Sequence, residues 1–418
     1  MRVRRPLPNS PATRKPSSSF SVASRLKYLR IAVAAAYICG ILISPKLWFS
    51  VRRSFPRVPL VSGLPAFLSS ADYLLSLLLL AALAFSLVSK RPSRYLIAIV
   101  VLTALLVLFD QTRLQPWVYQ YVVMLFALAW LTPGETHLDN SESAAPLLAA
   151  GQLIVVCLYF WSGVQKLNWT FGHEVFPGLL ESAGIHLSPA RGSYLPALGF
   201  VVAICEALIG IALLFRKTRQ AAVLAAISMH AIVLLLLIVA WRNSVVWPWN
   251  IAMMAMLMLL FWRSDQTLAK FLFRWRTSDL LSHVPKLILL LCGLLPALSF
   301  AGWWDLYLSG ALYSGNTPIG VMRVSEGLRN RLPAEARQHL FVTGGGQLML
   351  PYYEWSLSEL NVPPYPEVRA YRQVARQLCL LDEDSKENEL IVRERPALRD
   401  GSYQVSRTNC LELIQRTR

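Results

Sequence analysis

Apolar positions along this chain cluster in blocks too long for the interior of a water-soluble domain. A bilayer core takes about 20 mostly apolar residues per helix. Runs near that length recur at 31–50, 72–89, 94–110, 116–132, 146–167, 194–215, 220–241, 247–262 and 285–304. After Tyr307 the pattern changes: residues 311–418 carry fourteen Lys/Arg and thirteen Asp/Glu, with Pro clusters such as Val362-Pro363-Pro364-Tyr365-Pro366, and no spanning run. The pattern predicts an all-α polytopic membrane bundle of about nine transmembrane helices over 31–307 and a small soluble C-terminal α+β domain over 308–418. Residues 1–30 hold eight Lys/Arg, no Asp or Glu and a Pro/Ser-rich stretch. With so little apolar surface to bury, they read as a disordered basic arm.

Composition agrees with the pattern. Of 418 residues 55% are apolar and 16% charged, and the mean hydropathy is +0.44. The formal charge of +17 would fit a nucleic-acid partner, but the basic residues sit mostly in short connections between apolar runs, so nucleic acid is excluded. Positive charge ahead of the first run places the N-terminus in the cytoplasm of a cell bounded by this inner (plasma) membrane. An odd count of spans then places the C-terminal domain on the extracytoplasmic side. Lys90, Arg91, Arg94, Arg216, Lys217 and Arg219 fall on the cytoplasmic side, whereas Arg52, Arg53 and Arg57 fall outside, against the rule. Ser264 to His283 alternates apolar and basic residues, which fits either a helix lying along the cytoplasmic surface or an ordinary loop. Cys39, Cys157, Cys205 and Cys292 lie in apolar runs and read as small buried hydrophobes, with no metal-ligand spacing. Cys379 and Cys410 would share an oxidising compartment and could pair there. Gly344-Gly345-Gly346 lacks the Lys of a phosphate loop and reads as a flexible turn.

Ionisable side chains inside apolar runs are the informative ones, because a charge in the bilayer costs several kcal/mol unless it is paired or used. Asp110 and Arg113 end the third run, Lys166 ends the fifth, and Glu206 and His230 lie within the sixth and seventh. By the count of spans, Asp110, Arg113 and Lys166 gather at the extracytoplasmic face with Trp117, Tyr121, Trp247 and Asn250, which suggests a polar cavity rimmed by aromatic rings. Each has a plainer reading. Asp110 and Arg113 can close a helix end as an i, i+3 pair, Lys166 can snorkel, Glu206 and His230 can pair between neighbouring helices, and Trp117 and Tyr121 can form an interfacial belt.

The segment Tyr-Phe-Trp-Ser-Gly-Val-Gln-Lys-Leu-Asn-Trp around Lys166 resembles the hallmark of the vitamin K-dependent gamma-carboxylase family and its bacterial relatives with a horizontally transferred transmembrane domain. Phe-Asp-Gln-Thr-Arg at Asp110, Cys-Glu-Ala-Leu-Ile at Glu206, Met-His-Ala-Ile at His230 and Trp-Asn-Ile-Ala at Asn250 are similar to further segments of that family, in the same order. The resemblance spans about 100–262. It implies a membrane oxidoreductase or carboxylase-like lyase driven by a reduced quinone, with Lys166 as base, His230 and Glu206 in support, and Asp110, Arg113, Trp117, Tyr121, Trp247 and Asn250 around the substrate. Where the family carries Asn-Asn-His this chain has Gln115-Pro116-Trp117, so the assisting His is missing at that place. The competing class is a non-catalytic subunit similar to the DoxX-type quinone-interacting proteins, or an assembly partner for an exported protein. The partners implied are the lipid bilayer, a quinone, and an exported protein or a second subunit.

Overall fold

The computed structural model describes residues 21–49, 53–61, 68–129, 141–187, 192–241, 243–264, 268, 283–382 and 387–415, without the side chains at 68–70 and 141–145. Helices stand at all nine apolar runs: α1 (Val22–Ile43), α2 (Leu68–Val88), α3 (Ser93–Phe109), α4 (Pro116–Ala129), α5 (Ser141–Gln165), α6 (Leu195–Leu214), α7 (Arg219–Val239), α8 (Trp247–Phe261) and a composite α9 over Val284–Ala301. Among the described residues seven helices are long and apolar enough to cross a bilayer, while α3 and α4 are shorter apolar helices. The chain is a multi-pass membrane protein. In α9 the ladder widens over Leu289–Leu294 and tightens over Leu295–Ala301. Pro296, which has no N–H to donate, sits at that change of pitch.

The first helix begins at Val22, earlier than the apolar run alone predicts, so the arm expected to reach residue 30 is helical from there onward. Ser21 caps it, accepting the Ser24 N–H at 3.2 Å. The basic residues that read as solvent-exposed are put to use: Arg25 donates to the carbonyls of Leu259 (3.0 Å) and Trp262 (2.9 Å), closing the end of α8, and Arg30 donates to Ser89 O at 3.3 Å. Cations at helix C-termini satisfy carbonyls that the helix leaves open. Arg219 does the same for α6, donating to Leu213 O (3.0 Å) and Leu214 O (3.3 Å). Residues 1–20, the acidic connection at 130–140 and nearly all of 264–283 lie outside the described residues.

Of the seven helices long enough to cross a bilayer, α5 is the most buried, and it runs against α6 at backbone contact. A Cβ at Gly163 would come within 2.3 Å of the Ala207 nitrogen, and one at Gly210 within 2.8 Å of the Phe160 nitrogen. Small residues let membrane helices approach this closely, where lipid supplies no hydrophobic drive. Cys157 and Cys292 are buried as expected, but Cys39 and Cys205 are exposed on helix faces, where a thiol meets lipid without penalty.

Beyond the bundle lies an antiparallel sheet in the order β2-β3-β1-β4-β5, built from β1 (Ile319–Arg323), β2 (Phe341–Val342), β3 (Leu348–Pro351), β4 (Glu389–Arg393) and β5 (Val405–Asn409). The Gly344–Gly346 run is the turn joining β2 to β3, with Gly346 at φ +74°. Short helices α10 (Glu326–Arg331) and α11 (Ala334–Arg337) precede β2, α12 (Tyr352–Leu360) and the amphipathic α13 (Val368–Cys379) follow β3, and α14 (Cys410–Gln415) closes the chain's described part. The core gathers Met322, Leu350, Trp355, Val374, Leu378 and Leu390, all buried. Cys379 and Cys410 form a disulfide that ties the end of α13 to the start of α14.

Candidate functional site

The close approach of α5 and α6 builds the central ionic contact. Gly163, with no Cβ to hold the helices apart, lies three positions before Lys166, and Ala207, whose backbone it meets, directly follows Glu206, so the close seam sets Lys166 beside Glu206. The Lys166 Nζ donates to Glu206 Oε2 (2.8 Å) and Oε1 (3.0 Å), to Ser162 Oγ (2.6 Å) and to Ser162 O (3.3 Å). Both side chains are nearly buried, at 13% and 11% exposure. Lys166 turns inward to the neighbouring helix and does not reach for headgroups, because the carboxylate and hydroxyl there use all three N–H donors of an ammonium. A charge pair taken out of water persists only with this degree of satisfaction.

Two turns before Lys166 on α5, Tyr159 meets His230 of α7: the phenol oxygen lies 2.6 Å from Nε2, and Nδ1 lies 2.8 Å from Asn250 Oδ1 of α8. The Asn250 amide nitrogen donates to Val246 O at 2.9 Å, which leaves its oxygen to accept. His230 Nδ1–H therefore donates to Asn250, and both imidazole nitrogens are used. Glu206 pairs with Lys166 and not with His230. Lys166, Glu206, His230 and Asn250 thus form one neighbourhood spread over four helices.

Asp110 and Arg113 belong to a different one, and they do not pair with each other. Asp110 is bound by the Arg53 guanidinium and by the N–H groups of Val58 (3.2 Å) and Thr112 (3.1 Å). Arg113 is held by Asp72, at 2.5 and 2.7 Å, and by the carbonyls of Leu47 and Leu106, both at 3.0 Å. The short loop at Gln111–Arg113 turns these side chains apart, which an intact helix would not do. This also accounts for Arg53 and Arg57, whose position offends the charge rule: Arg53 neutralises Asp110, and Arg57 lies 3.6 Å from Asp72.

Trp117 and Tyr121 are not an interfacial belt. They are fully buried, packed edge-on or tilted in a cluster with Tyr37 and Trp48 at centroid distances of 5.8 to 6.4 Å. They line the contact of α4 with α1, where a ring also rests on Gly40. Trp247 packs edge-on against Trp241 at 5.6 Å. The nine residues therefore fall into an α5–α8 group, a charged knot at the ends of α2 and α3, an aromatic cluster, and Trp247 standing apart on Trp241. Asp72, Tyr159 and Ser162 complete these groups, and of the three only Asp72 has a signal in the sequence, as a carboxylate opening an apolar run.

A third polar array fastens the sheet domain to one rim of the bundle. Glu359 of α12 accepts from Ser54 N–H and Oγ, each at 2.5 Å, and from Phe55 N–H at 2.9 Å. Asn361 donates to Ser244 Oγ (2.7 Å), and Gln115 donates to Pro363 O (3.1 Å). Arg395 donates to Ser299 O and Asn316 Oδ1, both at 2.5 Å, while Asn316 donates to Gln165 Oε1 at 2.7 Å. Above it, Trp169 packs over Gly401, where a Cβ would fall 2.3 Å from the ring. Beside this array, burial raises the Glu367 carboxyl above its ordinary value, with the neighbouring Asp305 adding to the shift, against the opposing N–H of Leu306 at 3.0 Å.

The comparisons fall on the first of these groups. Residues 144–248 match the family model of methylamine utilisation protein MauE, about a quarter of the chain, taking in Tyr159, Lys166, Glu206 and His230. No curated protein and no solved structure matches the chain. The match to MauE overturns the resemblance to the gamma-carboxylase family and its relatives with a horizontally transferred transmembrane domain. The segments that carry that resemblance are short, with few polar letters among interchangeable apolar ones. One of them, around Asp110, is a knot with Arg53 that stands apart from Lys166. Over residues 144–248, from α5 to the start of α8, this membrane protein is similar to MauE.

Proposed function

We propose that the chain is a membrane-embedded accessory protein that carries its C-terminal domain as a fixed platform for a partner protein, in a system of the kind that the family name, methylamine utilisation, describes. The observation that carries this reading is the polar array from Glu359, Asn361 and Arg395 to the loops at the ends of α1, α4, α5, α8 and α9, which holds the domain on one rim. The Cys379–Cys410 disulfide supports an oxidising, extracytoplasmic compartment for that rim. Arg25, Arg30 and Arg219 gather at the opposite rim, as expected of a cytoplasmic face. In this reading Lys166 is a structural cation whose donors are spent on Glu206 and Ser162, and the domain boundary falls in the segment after α9.

The test is complementation of a deletion strain growing on methylamine. A buried ion pair exchanged for apolar residues of similar size is often tolerated, whereas removal of one partner costs about 3–5 kcal/mol. Lys166→Met alone is expected to fail, and Lys166→Met with Glu206→Met to restore growth. If the double variant is inserted and folded but inactive, Lys166 does chemistry and the accessory reading is wrong. If deletion leaves growth on methylamine unchanged, the link to that system is wrong.

A further inference from the structure

The sheet of the C-terminal domain is covered on one face only. A Cβ at Gly320 of β1 would meet the rings of Tyr371 (2.7 Å) and Tyr352 (3.0 Å), so α12 and α13 both pack on the Gly320 face, where Met322, Leu390 and Val392 are buried. The opposite face carries Arg323, Glu389, Ile391, Arg393, Val405 and Arg407, none of them buried. It ends at β5, and among the described residues no strand pairs with the outer side of β5. We propose that this edge takes an added strand from the partner protein, an extended acidic segment whose main chain continues the sheet. The inference names the docking surface of the platform and rests on that reading for the occupant being a partner protein.

The parity of the hydrogen bonds shows what the edge offers. Glu394 N–H donates to Gln404 O (2.9 Å) and Cys410 N–H to Asn388 O (3.3 Å), and between them the register is one to one, from Arg393 opposite Val405 to Glu389 opposite Asn409. In an antiparallel ladder the bonded residues alternate. Gln404, Ser406, Thr408 and Cys410 therefore turn their main-chain groups to β4, while Val405, Arg407 and Asn409 turn theirs outward. A row of unpaired N–H and C=O groups is a template for another chain, and edges are ordinarily blunted by shortness, Pro or a bulge. β5 has five residues, no Pro and no bulge. The other edge, β2, has two residues.

Charge selects the occupant. Glu389 lies 3.2 Å from Arg407 and 3.5 Å from Arg323, so one carboxylate serves two guanidiniums and a positive charge is left over beside the edge. A second copy of this chain fits poorly. A twofold axis through the centre of two paired β5 strands sets Arg407 opposite Arg407, and like charges directly opposite weaken a sheet. A strand with a carboxylate at that position gains an ion pair in its place. Tyr403 and Val405, 48% and 49% exposed on the same face, add apolar area for such a strand to cover.

The full chain in lipid nanodiscs is titrated with the peptide acetyl-Thr-Val-Thr-Glu-Thr-Val-Thr-amide, with its counterpart carrying Lys for Glu, and with a copy N-methylated at Glu, read by calorimetry and hydrogen exchange. Saturable binding of the acidic peptide is expected, with slowed exchange at the Val405, Arg407 and Asn409 amides. Each of the other two probes is expected to bind at least about 5-fold more weakly, as the loss of one cross-strand pair or one hydrogen bond produces. Arg407→Glu is expected to reverse the preference for Glu over Lys. Val405→Pro removes an outward N–H and no bond to β4, so it is expected to weaken binding about 10-fold while the thermal midpoint and the Cys379–Cys410 bond are kept. The proposal is overturned by absent saturation, by equal binding of the N-methylated peptide, by an unchanged preference in Arg407→Glu, or by a chain that self-associates through β5 and excludes the peptide. Peptide binding by a chain whose deletion leaves growth on methylamine unchanged removes the link to that system and keeps the surface. Complementation by a chain that binds no peptide keeps the accessory role and removes the surface.

Discussion

At the scale of single residues, the buried charges behave as pairs whose members are worth little apart. Glu206→Ala leaves the Lys166 ammonium facing only Ser162 in a lipid-surrounded seam, and a loss of about 3–5 kcal/mol is expected. It reads out as a lower thermal midpoint of the purified protein, and an unchanged midpoint would mean that the pair is not sequestered as the geometry indicates. Glu367 gives a pH-dependent counterpart outside the membrane. Its carboxyl holds a proton more tightly folded than unfolded, so its contribution is full below the unfolded value and is lost as pH rises through the folded one. Glu367→Gln keeps an oxygen to accept the Leu306 N–H but cannot ionise. As pH rises from the ordinary glutamate range, the wild-type midpoint is therefore expected to fall relative to the variant, and parallel curves would refute the shift. The sequence exposes Lys166, Glu206 and His230 because an ionisable group in an apolar run is costly and stands out. It does not expose their partners: spacing fixes the face a residue occupies on its own helix, but not which helix lies opposite. Asp110 and Arg113 show the difference, since at i, i+3 they look like a couple and yet bind Arg53 and Asp72.

At the scale of elements, periodicity and run length were enough to locate all nine helical segments, because nothing but a satisfied helix crosses lipid in pieces of this length. The start of α1 was less legible, since basic residues that look solvated serve as caps for α8 and α2. The α5–α6 seam depends on two glycines whose spacing in the sequence carries no sign of a shared contact. Gly163→Val drives a side chain into the backbone at Ala207 and is expected to move Lys166 away from Glu206. Overpacking of this kind costs about 1–3 kcal/mol in a core that can shift, and here the lost ion pair adds to it. Thermal melts of Gly163→Ala and Gly163→Val in detergent should fall in that order. In the sheet domain, the Cys379–Cys410 bridge closes the stretch that contains β4 and β5, and its loss by paired Ser substitution is expected to cost about 2–4 kcal/mol. An equal melt for the reduced and oxidised chain would place the domain's stability elsewhere.

At the scale of the whole molecule, the question is whether membrane bundle and sheet domain act as one body. Their joint is polar and half-buried, with Glu359 at its centre: one carboxylate accepts from two backbone N–H groups, a hydroxyl and the Trp355 indole at 3.0 Å. The sequence gives no hint of it, because Glu359 lies in a soluble helix with ordinary composition and its partners across the joint, Ser54 and Phe55, are more than 300 positions earlier. Hydrogen bonds to a charged group contribute about 1.5–3 kcal/mol each when the alternative is an unpaired buried donor. Glu359→Ala orphans the Ser54 and Phe55 donors while leaving the bundle core and the disulfide intact. The expected result is a protein that still inserts and still forms the Cys379–Cys410 bond, but whose domain loosens: proteolysis between Ala301 and Ile319 should accelerate about 10-fold or more, as a loss of about 1.4 kcal/mol in docking would produce. The same variant should lose complementation if the platform must be held in place for its partner. Full complementation by a chain whose joint is demonstrably cleaved faster would mean that the partner needs the domain but not its fixed orientation.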